Sequence, residues 1–188
     1  MRAIYLLPLA GVERALVQEL MPSLENAFQA EIALMNVSVE LETCFDKQRH
    51  QYNSTEILQY IKENFTSSHL LSRQHLHPKK YLAITSEDLF IPILTYVFGE
   101  AELSGNVAVV SYYRLLNERY GLPPNRALLS QRLQKEAVHE LGHAYGLVHC
   151  HTPECVMHTS TYAGDIDLKS ETFCGDCLRE VRRAETRF

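Results

Sequence analysis

Apolar positions along this chain switch between two periods, and the switches predict its elements. Residues 3–7, AIYLL, are a continuous apolar run suited to a buried strand. Val12, Ala15, Leu16, Leu20, Leu24 and Phe28 then keep helical spacing, with Pro22 expected to kink the helix or mark a restart. Val37, Val39 and Leu41 alternate with polar neighbours, as in a half-buried strand, and the polar run 46–53 reads as a loop. Asn53 with Glu56 is a capping-box pattern that opens a second helix with Ile57, Leu58, Ile61 and Phe65 on its inner face. Residues 66–80 read as a surface connection, and residues 81–85 as a third strand. Phe98–Leu103 forms a further short segment, and residues 107–112, VAVVSY, are the most strongly β-favouring run. From about Arg126 to Tyr145, Leu129, Leu133, Ala137, Leu141 and Tyr145 recur at steps of four, with Val138 widening the stripe. The order β-α-β-α-β-β-β, followed by a long helix, predicts an α/β fold with two helices backing the sheet.

The other side of that last helix carries the chemistry. Residues 139–150 read HELGHAYGLVHC. His139 and His143 are one turn apart on one helix face. Glu140 is close enough to take a proton from a water on a metal that they hold. Gly146 suits a helix end that needs positive φ, so the chain can turn back and bring in His149. Three neutral nitrogen ligands leave a fourth position open, the arrangement of a catalytic zinc. A further four thiols follow: Cys150, Cys155, Cys174 and Cys177, spaced C-x4-C and C-x-x-C. Four thiolates close a tetrahedron and supply folding energy in place of catalysis. Two disulfides are the alternative for an exported protein, and the zinc site is preferred because no export signal is evident. Cys44 stands apart at a strand end and reads as an inert thiol. His69, His75 and His77 read as exposed loop histidines, with a metal cluster as the lesser alternative.

The run His139, Glu140, His143, Gly146, His149 resembles the HExxHxxGxxH signature of metzincin metallopeptidases. With H-C-x4-C-x-M and the later C-x-x-C, the match narrows to the archaemetzincin family, in which a four-cysteine structural zinc is built beside the catalytic one. The motifs cover only the last third of the chain. The resemblance implies a mixed, twisted sheet of about five strands and an active-site helix over about 126–145. It also implies one catalytic domain in two parts, residues 1–146 and a small zinc-bound subdomain, residues 147–188. Zn2+ would be held twice per chain. Met157 would be the Met-turn residue, an apolar floor under the imidazoles, although it lies nearer the third ligand than is usual for metzincins. Peptide substrate would add to an edge strand at Phe98, Gly99, Glu100, Ala101, Glu102 and Leu103. Tyr162 and His158 are candidates for contacting the substrate oxyanion, and His151 is a loop histidine.

Composition narrows the partners. A chain of 188 residues with 46% hydrophobic content suffices for one sizeable core. A net charge of −5 gives no electrostatic case for nucleic acid or an anionic membrane, and no apolar run is long enough to span a bilayer. The first residues read as a strand, not a signal peptide, because Pro8 interrupts the apolar run and an acidic amphipathic stretch follows. The basic run in residues 178–188 reads as the solvated face of a short helix. The expectation is a cytoplasmic, monomeric zinc metallopeptidase acting on peptides or proteins, with Glu140 as general base. The alternatives are a two-zinc protein that binds a peptide or chain terminus without turnover, and a structural zinc module.

Overall fold

Apolar runs and helical stripes settle into three layers. The computed structural model describes residues 3–9, 11–36, 39, 41–66 and 79–186. The strands are β1 (Ala3–Pro8), β2 (Glu31–Leu34), β3 (Phe45–Asp46), β4 (Gln51–Asn53), β5 (Lys79–Thr85), β6 (Leu89–Phe90), β7 (Gly99–Ala101) and β8 (Val107–Ser111). The helices are α1 (Arg14–Phe28), α2 (Ser54–Ile61), α3 (Arg126–Ala144), α4 (Ala163–Leu168) and α5 (Gly175–Thr186). The main sheet runs β2-β1-β5-β8-β7, with the first four strands parallel and β7 antiparallel at the edge.

Side-chain alternation assigns the two faces. Ile4, Leu6, Leu82, Ile84, Ala108 and Val110 pack with Leu16, Leu20 and Leu24 of α1 and with Leu133, Ala137 and Leu141 of α3. Leu7, Tyr81, Ala83, Val107 and Val109 face the other way, onto Ile57, Leu58 and Ile61 of α2. Strands covered on both faces need apolar residues at every position, which is why they read as unbroken apolar runs. The rear stripe of α3 anchors the helix as its spacing predicts, with Leu133, Ala137, Val138 and Leu141 fully buried.

Four expectations change. The second strand is Glu31–Leu34, and although Val39 and Leu41 are buried, neither lies in a strand; Val37, Ser38 and Glu40 lie outside the described residues. Residues 46–53 are not a plain loop: β3 and β4 form a small hairpin, paired Phe45 to Tyr52 with rings 4.9 Å apart, and β6 extends it. Pro22 sits inside one unbroken helix, so it marks no restart. At α2, Asn53 caps through its side chain, accepting from Thr55 N–H at 3.1 Å, but its partner Glu56 bonds the Asn53 amide and not its backbone. Cys44 is buried in the second core, and burial raises its thiol pKa. His69, His75 and His77 lie outside the described residues. Among those described, no helix is long and apolar enough to cross a membrane.

Candidate metal centre

The last turns of α3 carry the first two ligands, and a left-handed residue supplies the third. Gly146 has φ +95°, a conformation that side chains resist, and an added Cβ would meet Ser104 Oγ at 2.8 Å. Its N–H returns to His143 O at 2.8 Å, ending the helix and turning the chain toward His149. The ring nitrogens of His139, His143 and His149 come within 4.8 Å of one another.

Hydrogen bonding fixes the tautomers of two of them. His139 Nδ1 donates to Val156 O at 2.8 Å, and His143 Nδ1 donates to Leu147 O at 2.7 Å. A carbonyl only accepts, so both protons sit on Nδ1 and both Nε2 atoms present lone pairs. Those lone pairs face each other across 3.1 Å. Burial, aided by the Lys169 ammonium, holds His139 well below the usual histidine range, and burial likewise lowers His143 and His149. Neutral imidazoles cannot bond one another through two lone pairs; a cation between them removes the repulsion. Two nitrogens on a tetrahedral zinc stand ~3.3 Å apart, close to the observed spacing.

The four thiols form a second cluster, with all Sγ atoms within 4.8 Å and Cys150 Sγ 3.8 Å from Cys174 Sγ. A disulfide needs about 2.05 Å, whereas an edge of a Zn–S tetrahedron is ~3.8 Å. Backbone N–H groups of Cys174 and Thr152 point at Cys155 Sγ (3.3 Å) and Cys150 Sγ (3.4 Å). The N–H of Cys177 helps bring the Cys174 thiol down to about 7. The donor sets of both clusters fit zinc.

Glu140 is buried beside the histidines, and no hydrogen bond ties its carboxylate down among the described residues. Burial raises it well above the ordinary carboxyl range, and Glu136 and Glu100 add to that. It rests directly on the edge strand: a Cβ on Gly99 would lie 2.6 Å from Glu140 Cγ and 2.6 Å from Val109 O. Met157 is fully buried under α3, and an added Cβ on Gly142 would meet its sulfur at 2.4 Å, so that glycine lets Met157 in between the ligand-bearing turns.

A cavity of about 360 Å³ opens beside the cluster. Its walls are residues 94–98 ahead of β7 and Gly99 at its start, Glu136, His139 and Glu140 of α3, His149, and residues 159–161. Neither Tyr162 nor His158 lines it: the Tyr162 ring lies against Gly164, and His158 Nδ1 bonds Cys150 O at 2.9 Å. His151 is exposed on its loop. Sequence reasoning passed over Tyr96 and Glu136. Glu136 was open to discovery, since it stands four residues before Glu140 on the same face, and its buried carboxylate accepts from Lys169 at 3.0 Å.

Comparison with known proteins agrees with this geometry. The family model for Peptidase family M54 matches residues 23–183. The archaemetzincin of Archaeoglobus fulgidus is 36% identical over 179 residues, 95% of this chain and 98% of that one. The chain belongs to Peptidase family M54, the archaemetzincins. It is a zinc metallopeptidase. The archaemetzincin of Pyrococcus horikoshii is 41% identical over 142 residues, 74% of this chain and 70% of that one. Among solved structures, the A. fulgidus archaemetzincin complexed with malonate superposes with a TM-score of 0.76, covering 95% of this chain and 99% of that one at 36% identity. A zinc-dependent peptidase from Methanocorpusculum labreanum gives a TM-score of 0.81 at 29% identity, covering 95% of this chain and 99% of that one.

Proposed function

We propose that this archaemetzincin hydrolyses peptide bonds at the three-histidine cluster, with one zinc there and a second in the four-cysteine cluster. The observation that carries this reading is a buried carboxylate, with no hydrogen bond among the described residues, beside three converging imidazoles and an open sheet edge. His139, His143 and His149 would hold the zinc, which would supply a water of lowered pKa and a Lewis acid for the substrate carbonyl. Glu140 accepts the proton of the attacking water and returns it to the leaving amine. The carbonyls of Val156 and Leu147 keep His139 and His143 in the ligating tautomer throughout. Met157 packs beneath without polar contact to the reaction.

The register of the sheet edge favours two of those six residues as the substrate contact. Ser111 N–H bonds Phe98 O and Glu102 N–H bonds Val107 O, so the even-numbered residues of this segment face β8. Gly99 and Ala101 then turn their N–H and C=O groups outward, while the Glu100 carboxylate points to Ser54 and Thr55 at the start of α2. A peptide pairing antiparallel to β7, the more stable ladder, runs opposite to it. Its residues C-terminal to the cleaved bond lie along residues 94–98, over the cavity. In this reading residues 1–146 supply the platform, and residues 147–188 supply the third ligand and the closed site. The free thiols fit a reducing compartment such as the cytoplasm, and the proposed state is a monomer.

The test is Glu140→Gln, with metal counted per chain. Two zincs in both proteins and a loss of peptide hydrolysis of about 10²- to 10⁴-fold in the variant are expected. Undiminished hydrolysis would remove Glu140 as the base. A single zinc would leave the cysteine site alone and favour the binding-protein alternative.

A further inference from the structure

Tyr96 has no part in the proton transfers above, yet it joins two walls of the cavity. Its hydroxyl donates to Thr161 O at 2.6 Å, reaching from the segment ahead of β7 to the segment beyond Met157. The ring is clamped from behind. The Arg114 guanidinium stands 4.0 Å over its face, and Phe98 meets it edge-on at 5.7 Å. Arg114 is itself fixed by two bonds to Asp88, at 2.7 and 2.6 Å. Gln51 bridges Asp88 and Thr95 O at 3.0 Å each, and Arg49 holds Leu94 O at 3.0 Å. The facing segment is fixed as firmly: Asp167, six residues past Thr161, takes two bonds from Arg132, both 2.7 Å, and Lys169 joins Glu136 to His158 O. Two braced walls joined by one side chain make a pocket whose bore that side chain sets.

We propose that Tyr96 is a specificity-determining residue: its strap to Thr161 limits the size of the substrate side chain that enters the cavity just C-terminal to the cleaved bond. The assignment of that position rests on the peptidase reading above. Apart from Glu140, which serves the proton transfers, the lining favours uncharged side chains. Leu94, Val97, Phe98 and the Tyr96 ring are apolar, Thr95, Thr159 and Thr161 add hydroxyls, and the Glu136 carboxylate is already matched by Lys169. The Tyr96 and Phe98 rings and the Tyr96–Thr161 bond stand along one side of the cavity, where a longer side chain would meet them.

The test uses binding, so it does not depend on turnover. Hydroxamates bearing a methyl, isobutyl, benzyl or biphenylmethyl side chain are titrated into zinc-loaded wild type, Tyr96→Phe and Tyr96→Ala, with zinc content confirming that each is folded. Wild type should bind the benzyl probe well and discriminate against biphenylmethyl. In Tyr96→Ala the biphenylmethyl probe should gain about ten-fold relative to isobutyl, while the methyl probe stays within about two-fold. Tyr96→Phe keeps the ring and loses the strap, so it should shift the same ranking by a smaller factor; it serves as the test if the alanine variant does not fold. An unchanged size ranking in the variants, or no binding of any probe to wild type, overturns the proposal. A shifted ranking with no peptide hydrolysis by wild type would instead keep Tyr96 in its role and remove the peptidase reading.

Discussion

The three-histidine and four-cysteine clusters sit one residue apart in sequence, at His149 and Cys150, and are built on opposite plans. The histidines come from a helix and the turn beyond it. Their orientation is set by carbonyls four and seventeen residues away, and one side opens onto a cavity and a carboxylate. The thiols come from one segment, residues 150–177, and receive backbone N–H groups from their own loop. In the proposed reading, one arrangement leaves a ligand position for substrate and water, and the other uses its full tetrahedron to hold a segment poor in regular structure. The loop so held carries Met157, Val156 and residues 159–161. The closed cluster therefore fixes the floor and one wall of the open one.

Breaking the closed cluster should have the largest effect. Cys174→Ser removes one thiolate from the tetrahedron, and structural zinc sites contribute folding free energy directly. A loss of more than ~3 kcal/mol is expected, with both metals released, because Val156 O no longer orients His139. Glu140→Gln should leave the melting temperature close to wild type. If Cys174→Ser melts like wild type and keeps the catalytic metal, the two clusters are independent.

The open cluster can be probed from the sheet. Gly99→Ala places a Cβ 2.6 Å from Glu140 Cγ and from a backbone oxygen that cannot move easily. Displacing the carboxylate by about 1 Å should lower kcat by ~10²-fold, while overpacking costs ~1–3 kcal/mol. Retained zinc with depressed kcat is the expected signature. Equal kcat in variant and wild type would mean that Glu140 has room to spare.

How far this could be read from sequence follows the distance between partners. His139, Glu140, His143, Gly146 and His149 announce themselves because a helix and one turn fix their spacing, and the four thiols do so for the same reason. β2 escaped because it is an edge strand that pairs only with β1, so a single residue, Ile32, needs full burial and no alternation is imposed. The hairpin over 45–53 was hidden by its polar turn, although Phe45 and Tyr52 flanking that turn were a usable signal. Tyr96 left no local trace, since its partner Thr161 is 65 residues on.

The C-terminal end of the active-site helix gives the most specific effect. Lys80 ends its side chain at the last turn of α3, donating to Ala144 O at 3.0 Å and to Gly105 O, with the Tyr145 ring 5.1 Å away. A cation at a helix C-terminus is favourable, but burial outweighs this and brings Lys80 down from 10.5 to about 8, with Glu102 opposing the shift. The sign follows from proton counting. Below about pH 8 both states hold the proton, and the fold bears the cost of burying it. Between about 8 and 10.5 the unfolded chain keeps a proton that the native chain has released, so this group adds stability as pH rises, up to ~3 kcal/mol in full. Lys80→Met cannot make that gain. Urea midpoints at about pH 7.5 and about pH 10 should show wild type gaining stability relative to the variant at the higher value. An equal difference at both would mean that Lys80 keeps an ordinary pKa, and that the end of the active-site helix is wetter than its burial implies.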